Sequence, residues 1–169
     1  MVLSKPELIA RLQHEAKILL HLASTVDPAM LGHRPTPGQR SLLELLQYLT
    51  VFPQIHLETI RTGRFDMGAW QAAWQTENAK AREWDLDGIR TELARQPALF
   101  DKFVEPLSDA ELRAEMEMFG STASCGSWLV WMVLSHYSAY RMQLFQYLKE
   151  AGRNELNTLD LWAGVHGRV

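Results

Sequence analysis

The chain has 169 residues, 47% from the apolar set AVILMFWYC and 22% charged, a balance that suits one globular domain over 1–169 and excludes a disordered polymer. A formal charge of −3, from 17 basic and 20 acidic residues, gives no general attraction to nucleic acid or to an anionic membrane surface. One cysteine excludes an internal disulfide, Met1–Leu12 carries no secretion-type leader, and the longest apolar run, Trp128–Leu134, falls far short of the roughly 18 residues that span a bilayer, so a cytoplasmic protein is expected.

Ser4, followed by Pro6 and Glu7, predicts the start of a first helix that carries Leu8, Leu12, Ala16, Leu19 and Leu22 on one stripe and stops at Asp27-Pro28. His14 and His21 fall away from that stripe and are expected in solvent. Two prolines and two glycines between Gly32 and Gly38 mark a loop. Ser41 and Glu44 have capping-box spacing and open a second helix to about Arg61, with Pro53 inside it and Gly63 behind it. Leu45, Tyr48, Phe52 and Ile55 lie on one side of this helix and Leu42, Leu46 and Leu49 on another, so it should be buried on both. From Arg64 to Trp84, tryptophans 70, 74 and 84 stand among polar residues; this reads as a long, partly helical crossover pinned to the bundle by its rings. Asp87 is expected to cap a third helix through Ile89, Leu93 and Leu99 to about Glu105, kinked at Pro97. Ser108 and Glu111 then open a short helix ending near Gly120, and Gly120–Gly126 is a second break. No segment alternates apolar and polar residues for long, so no strand is expected.

The last long helix is expected from Ser127 to about Glu150, with Gly152 closing it. At roughly 100° per residue, Leu129, Met132, Val133, His136, Tyr140, Gln143 and Tyr147 share one face. Val130, Leu134, Arg141, Phe145 and Leu148 share the other, which needs the crossover, the Trp162 tail or a second subunit to cover it. The pattern is all-α, most simply a four-helix bundle, and the apolar outer side predicts a homodimer through this helix.

His136 sits four residues before Tyr140, on adjacent turns of one face, a spacing by which helices build metal sites or hydrogen-bonded pairs. The run Met30–Thr50, MLGHRPTPGQRSLLELLQYLT, followed by Ser135–Gly152, SHYSAYRMQLFQYLKEAG, resembles the DinB/YfiT-like superfamily. The crossover from Arg64-Phe65-Asp66 to Trp70 and the tail Asp160-Leu161-Trp162 are similar to those of such proteins. The resemblance implies a bundle of up-down-down-up topology with its long crossover between the second and third helices and a pocket at one end. In that family, one histidine of the second helix and two of the last bind a divalent metal such as zinc or nickel. Several members are transferases or isomerases that use a low-molecular-weight thiol.

Carried over residue by residue, those three positions are Tyr48, His136 and Tyr140 here, while Arg141 and Gln143 are kept. A neutral phenol is a poor zinc ligand, since coordination requires the phenolate, and one imidazole cannot hold a metal alone. The expectation is a lost or altered metal site, no resident cofactor, and a small-molecule pocket lined by Glu44, Tyr48, Phe52, Met132, His136, Tyr140 and Gln143. Glu44 could serve as a ligand, although its spacing makes it the capping partner of Ser41. His56 lies two turns beyond Tyr48 and is expected to be too far along the axis to join the cluster. Cys125 is expected to be remote, and His33 and His166 to be solvated. Two functions stay open beside a pocket without metal. One is a thiol-dependent transferase or isomerase, with His136 as its general base. The other is a dimeric interaction protein without catalysis.

Overall fold

Ser4 starts the chain's first helix, α1 (Lys5–Ser24), by accepting from the Glu7 amide while the Glu7 carboxylate takes the Ser4 N–H. The computed structural model describes residues 3–167. After a single 3₁₀ turn at Pro28–Met30 come α2 (Leu42–Thr62), α3 (Met67–Ala81), α4 (Leu86–Val104) and the short α5 (Asp109–Arg113). A two-stranded antiparallel hairpin comes next, β1 (Glu115–Met118) with β2 (Ser121–Ser124), and then one continuous helical rod. That rod consists of α6 (Cys125–Trp128), a π-helical stretch over Leu129–Leu134, and α7 (Ser135–Glu150); α8 (Thr158–Trp162) lies in the tail.

The long helices α1, α2, α4 and the α6–α7 rod form the expected all-α, up-down-down-up bundle. α1 and α4 are antiparallel: Lys5 reaches the carbonyls of Glu105 and Leu107, and at the other end Arg90 reaches those of Ala23 and Val26. α2 runs antiparallel to α7, pairing Tyr48 with Tyr140, Phe52 with Tyr137, and His56 with His136. α3 is the helical part of the crossover and packs on α2 through Trp70 and Trp74, which meet Val51 and Ile55. All five stripe residues of α1 are buried, as are both apolar sides of α2.

Pro53 does not break α2. Its missing N–H leaves the Leu49 carbonyl without its helical donor, and Gln96 of α4 supplies one through Nε2 at 2.7 Å. Tyr137 in turn donates its hydroxyl to Gln96 Oε1 at 2.7 Å, so three helices are tied by one fully buried relay.

Several expectations are corrected. Asp85, not Asp87, caps α4 by accepting from the Gly88 amide at 2.9 Å, and Asp87 pairs with Arg90 instead. The stretch before Gly120 holds the β-hairpin: Phe119 and Gly120 both take positive φ, the two-residue turn that suits strand twist, and the polar–apolar alternation of Glu115–Met118 is too short to register as a strand. His21 is tied down rather than solvated, its Nε2 2.9 Å from the wholly buried Asp160 carboxylate. His166 meets the same carboxylate at 3.1 Å, although its own side chain stays mostly exposed, while His33 meets Glu150 and His14 the Trp162 carbonyl.

The π stretch changes the face of α7. One extra residue in the turn rotates the downstream residues by about 100° relative to a regular helix. The buried residues therefore become Tyr137, Arg141, Leu144 and Leu148, with Tyr147 kept from the expected face, while His136, Tyr140 and Gln143 lie half-buried at the edge. Arg141, expected on the outer side, is only 3% exposed. It bonds both Glu15 oxygens at 2.7–2.8 Å and is covered by the Trp162 ring, with 4.4 Å from guanidinium to ring centroid.

Candidate functional site

A cleft of about 710 Å³ opens between α2, α3, the start of α7 and the Arg34–Arg40 loop. Its floor comes from α2, whose capping box fixes the first turn. The Glu44 carboxylate takes the Ser41 amide at 2.8 Å and pairs with Arg34 at 2.9 Å, and these contacts hold it below the usual carboxylate range. One turn on, Tyr48 stacks on Trp74 (5.2 Å between centroids, 5° between planes) and leans on Tyr140 at 4.7 Å. Arg40 lies over the Tyr48 ring with its guanidinium carbon 4.2 Å from the centroid. Burial, with the neighbouring Tyr140 hydroxyl, pushes the Tyr48 phenol above its ordinary value despite Arg40. Phe52 lies wholly buried beneath, touching Tyr48, His136 and Tyr140.

Two histidines complete the inner wall. His56 and His136 meet edge to face, centroids 4.5 Å apart. The Nδ1–H of His56 donates to the Met132 carbonyl, which lies in the π stretch; this fixes the tautomer and leaves Nε2 as an acceptor. Burial lowers His56 to about 4, with the Met132 bond opposing and His136 adding. Burial also lowers His136, while the Trp131 carbonyl acts the other way. Both imidazoles are therefore neutral at pH 7 and offer lone pairs, not charge.

Of the residues expected at the site, Glu44, Tyr48 and His136 line the cleft. Phe52 and Tyr140 pack directly behind them, and Met132 contributes its carbonyl to His56 while its side chain is buried. Gln143 lies outside the lining and donates to the Tyr147 hydroxyl at 3.0 Å. His56, expected to be remote, is the main correction. Its distance from Tyr48 along α2 is not the relevant one, because antiparallel α7 brings His136 a turn toward it. Pairing the two helices in steps of four would have revealed this. Arg40, Gln47, Trp70, Trp74, Asn78 and Arg82 also line the cleft, and no sequence motif marks them as site residues. Cys125 is buried at the start of α6, and burial, with Glu111, raises its thiol.

A helical bundle with a lateral cleft against its second and last long helices is the class these elements define. The DinB superfamily profile matches residues 11–139, and the chain belongs to that superfamily. Its fold is similar to that of a DinB-like protein of Bacillus subtilis, YjoA, at 18% identity and a TM-score of 0.65, over 89% of this chain and 94% of that one. No curated protein matches the chain. Among the described residues no helix is long and apolar enough to cross a membrane.

The side chains present do not fit the three-histidine metal centre that the superfamily resemblance implies. Tyr48 is further from phenolate than a free tyrosine, Glu44 is already tied to Ser41 and Arg34, and His56 has one nitrogen committed to Met132. Among the described residues no group of three or more His, Cys, Asp or Glu side chains is placed to hold a metal ion.

Proposed function

We propose that this chain is a cytoplasmic small-molecule-binding member of the superfamily that works without a divalent metal, and that the cleft of Tyr48, His56 and His136 is its binding site. The observation that carries this reading is the packing of the two replaced positions. Tyr48 and Tyr140 lean ring on ring at 4.7 Å, with the Tyr48 phenol held neutral, where coordination would need separated, ionisable groups. A neutral His56–His136 pair suits acceptance of a ligand hydroxyl or N–H. The test is thermal unfolding of EDTA-treated protein with zinc or nickel added, alongside incubation with an electrophile and a panel of low-molecular-weight thiols. No stabilisation by metal and no conjugation are expected. Stabilisation by a metal that His136→Ala abolishes, or thiol conjugation above the uncatalysed rate, would favour the thiol-dependent transferase instead.

The last helix supports a homodimer as a separate reading. Trp131 is 51% exposed beside exposed Val130 and Phe119, an aromatic patch that Arg141 and Trp162 do not cover. Sedimentation velocity at micromolar concentration should give a dimer; a monomer would remove this reading.

A further inference from the structure

We propose that the cleft is selective for an organic carboxylate carried on a flat apolar body. This deepens, and rests on, the metal-free reading of the same cleft.

The charge of the lining calls for an anion. It holds three arginines, 34, 40 and 82, against one carboxylate, Glu44, an excess of two positive charges in a chain of net charge −3. Glu44 is already engaged by Arg34 and the Ser41 amide. Arg40 lies over the face of Tyr48, and among the described residues no carboxylate lies within ion-pairing distance of Arg40 or Arg82. The two histidines add no charge at neutral pH. Two forked guanidiniums that line one cleft without a paired carboxylate among the described residues match an organic acid.

Gln47 points to a ligand independently of charge. It is only 9% exposed, lines the cleft, and has no side-chain hydrogen bond among the described residues. Its amide atoms are not sealed from solvent, and the residue borders the cleft. A nearly buried amide with no protein partner is a donor and acceptor held for something that enters.

Shape supplies the rest. Tyr48 and Trp74 are stacked, nearly parallel rings, and Trp70 meets Trp74 edge to face. This wall favours a planar body, whereas an inorganic oxyanion would use the arginines and leave the rings idle.

The experiment is titration of benzoate and indole-3-carboxylate, their amides, and inorganic phosphate into the EDTA-treated full chain, followed by tryptophan fluorescence and calorimetry. At least one carboxylate should bind saturably, and about tenfold or more tighter than its amide and than phosphate. Arg82→Gln, at an exposed position, should weaken that carboxylate about tenfold with its melting temperature unchanged, and Arg40→Gln should weaken it as well. Equal binding of acid and amide, phosphate as tight as the acids, an unchanged titration in both arginine variants, or no saturable binding of either acid would overturn the proposal. Binding that appears only after zinc or nickel is added, and that EDTA removes, would instead overturn the metal-free reading.

Discussion

The relay from Leu49 through Gln96 to Tyr137 makes a sharp quantitative test of how this bundle tolerates Pro53. Gln96→Met keeps the shape but strands two buried groups, the Leu49 carbonyl and the Tyr137 hydroxyl, each now satisfied at 2.7 Å. An unsatisfied buried polar group costs about 1–3 kcal/mol, so stranding two should cost about 2–6 kcal/mol. Pro53→Ala restores an N–H that can reach the Leu49 carbonyl along the helix. In that background one of the two stranded groups regains a partner, and Gln96→Met should cost about 1–2 kcal/mol less. Urea denaturation followed by circular dichroism, on the wild type, both single variants and the double variant, gives the coupling directly. Additivity within about 0.5 kcal/mol would refute the claim that Gln96 serves the carbonyl Pro53 leaves open.

Stability should fall on mild acidification because His56 is held at about 4 against 6.5 for an ordinary imidazole. The unfolded chain takes the proton first, so the contribution is complete above about pH 6.5 and is lost as pH falls, by about 2 kcal/mol at pH 5; His56→Asn should flatten the urea-midpoint profile between pH 7 and 5, and an unchanged slope would contradict it. Arg141→Met takes from the buried Glu15 carboxylate its ion-pair partner, leaving only the more distant charges of Arg11 and His14, and should cost about 3–5 kcal/mol by chemical denaturation, most of it recovered in a Glu15→Leu, Arg141→Met double variant. Burial works against the Asp160 carboxylate, but the Asn157 amide, His21 and His166 hold it below its usual value. Asp160→Asn should therefore speed hydrogen exchange of the α8 amides while those of α2 stay protected. Replacing Tyr48 and Tyr140 together by histidine should create tight zinc binding in calorimetry, with micromolar affinity or better (about 8 kcal/mol), if loss of ligands is all that separates this cleft from a metal centre.

Capping boxes, leucine stripes and loop glycines made most of this fold legible, because each acts within a few residues. Ser4–Glu7, Ser41–Glu44 and Ser108–Glu111 all form the reciprocal bonds their spacing announces. The features that were not legible depend on contacts across the bundle. The π stretch at Leu129–Leu134 has no signature in its apolar run, and by adding a residue to the turn it moved Arg141 into the core, His136 to the cleft and Tyr140 to the half-buried position behind it. Pro53 announced a lost helical bond, but not that Gln96, 47 residues beyond Leu49 and in no local pattern with it, would replace the donor. For the site, Tyr48, His136 and Tyr140 were found by motif order, whereas Arg40, Gln47 and Arg82 look like ordinary surface positions until α3 folds over α2.

Whether the cleft operates without a metal is decided by elemental analysis of untagged protein, as purified and after soaking with zinc, nickel, manganese and iron followed by desalting. A metal-free cleft predicts well under one metal per chain, about 0.1 or less, in every case and no difference between the wild type and His136→Ala. About one metal per chain in the wild type, lost in His136→Ala, would contradict it.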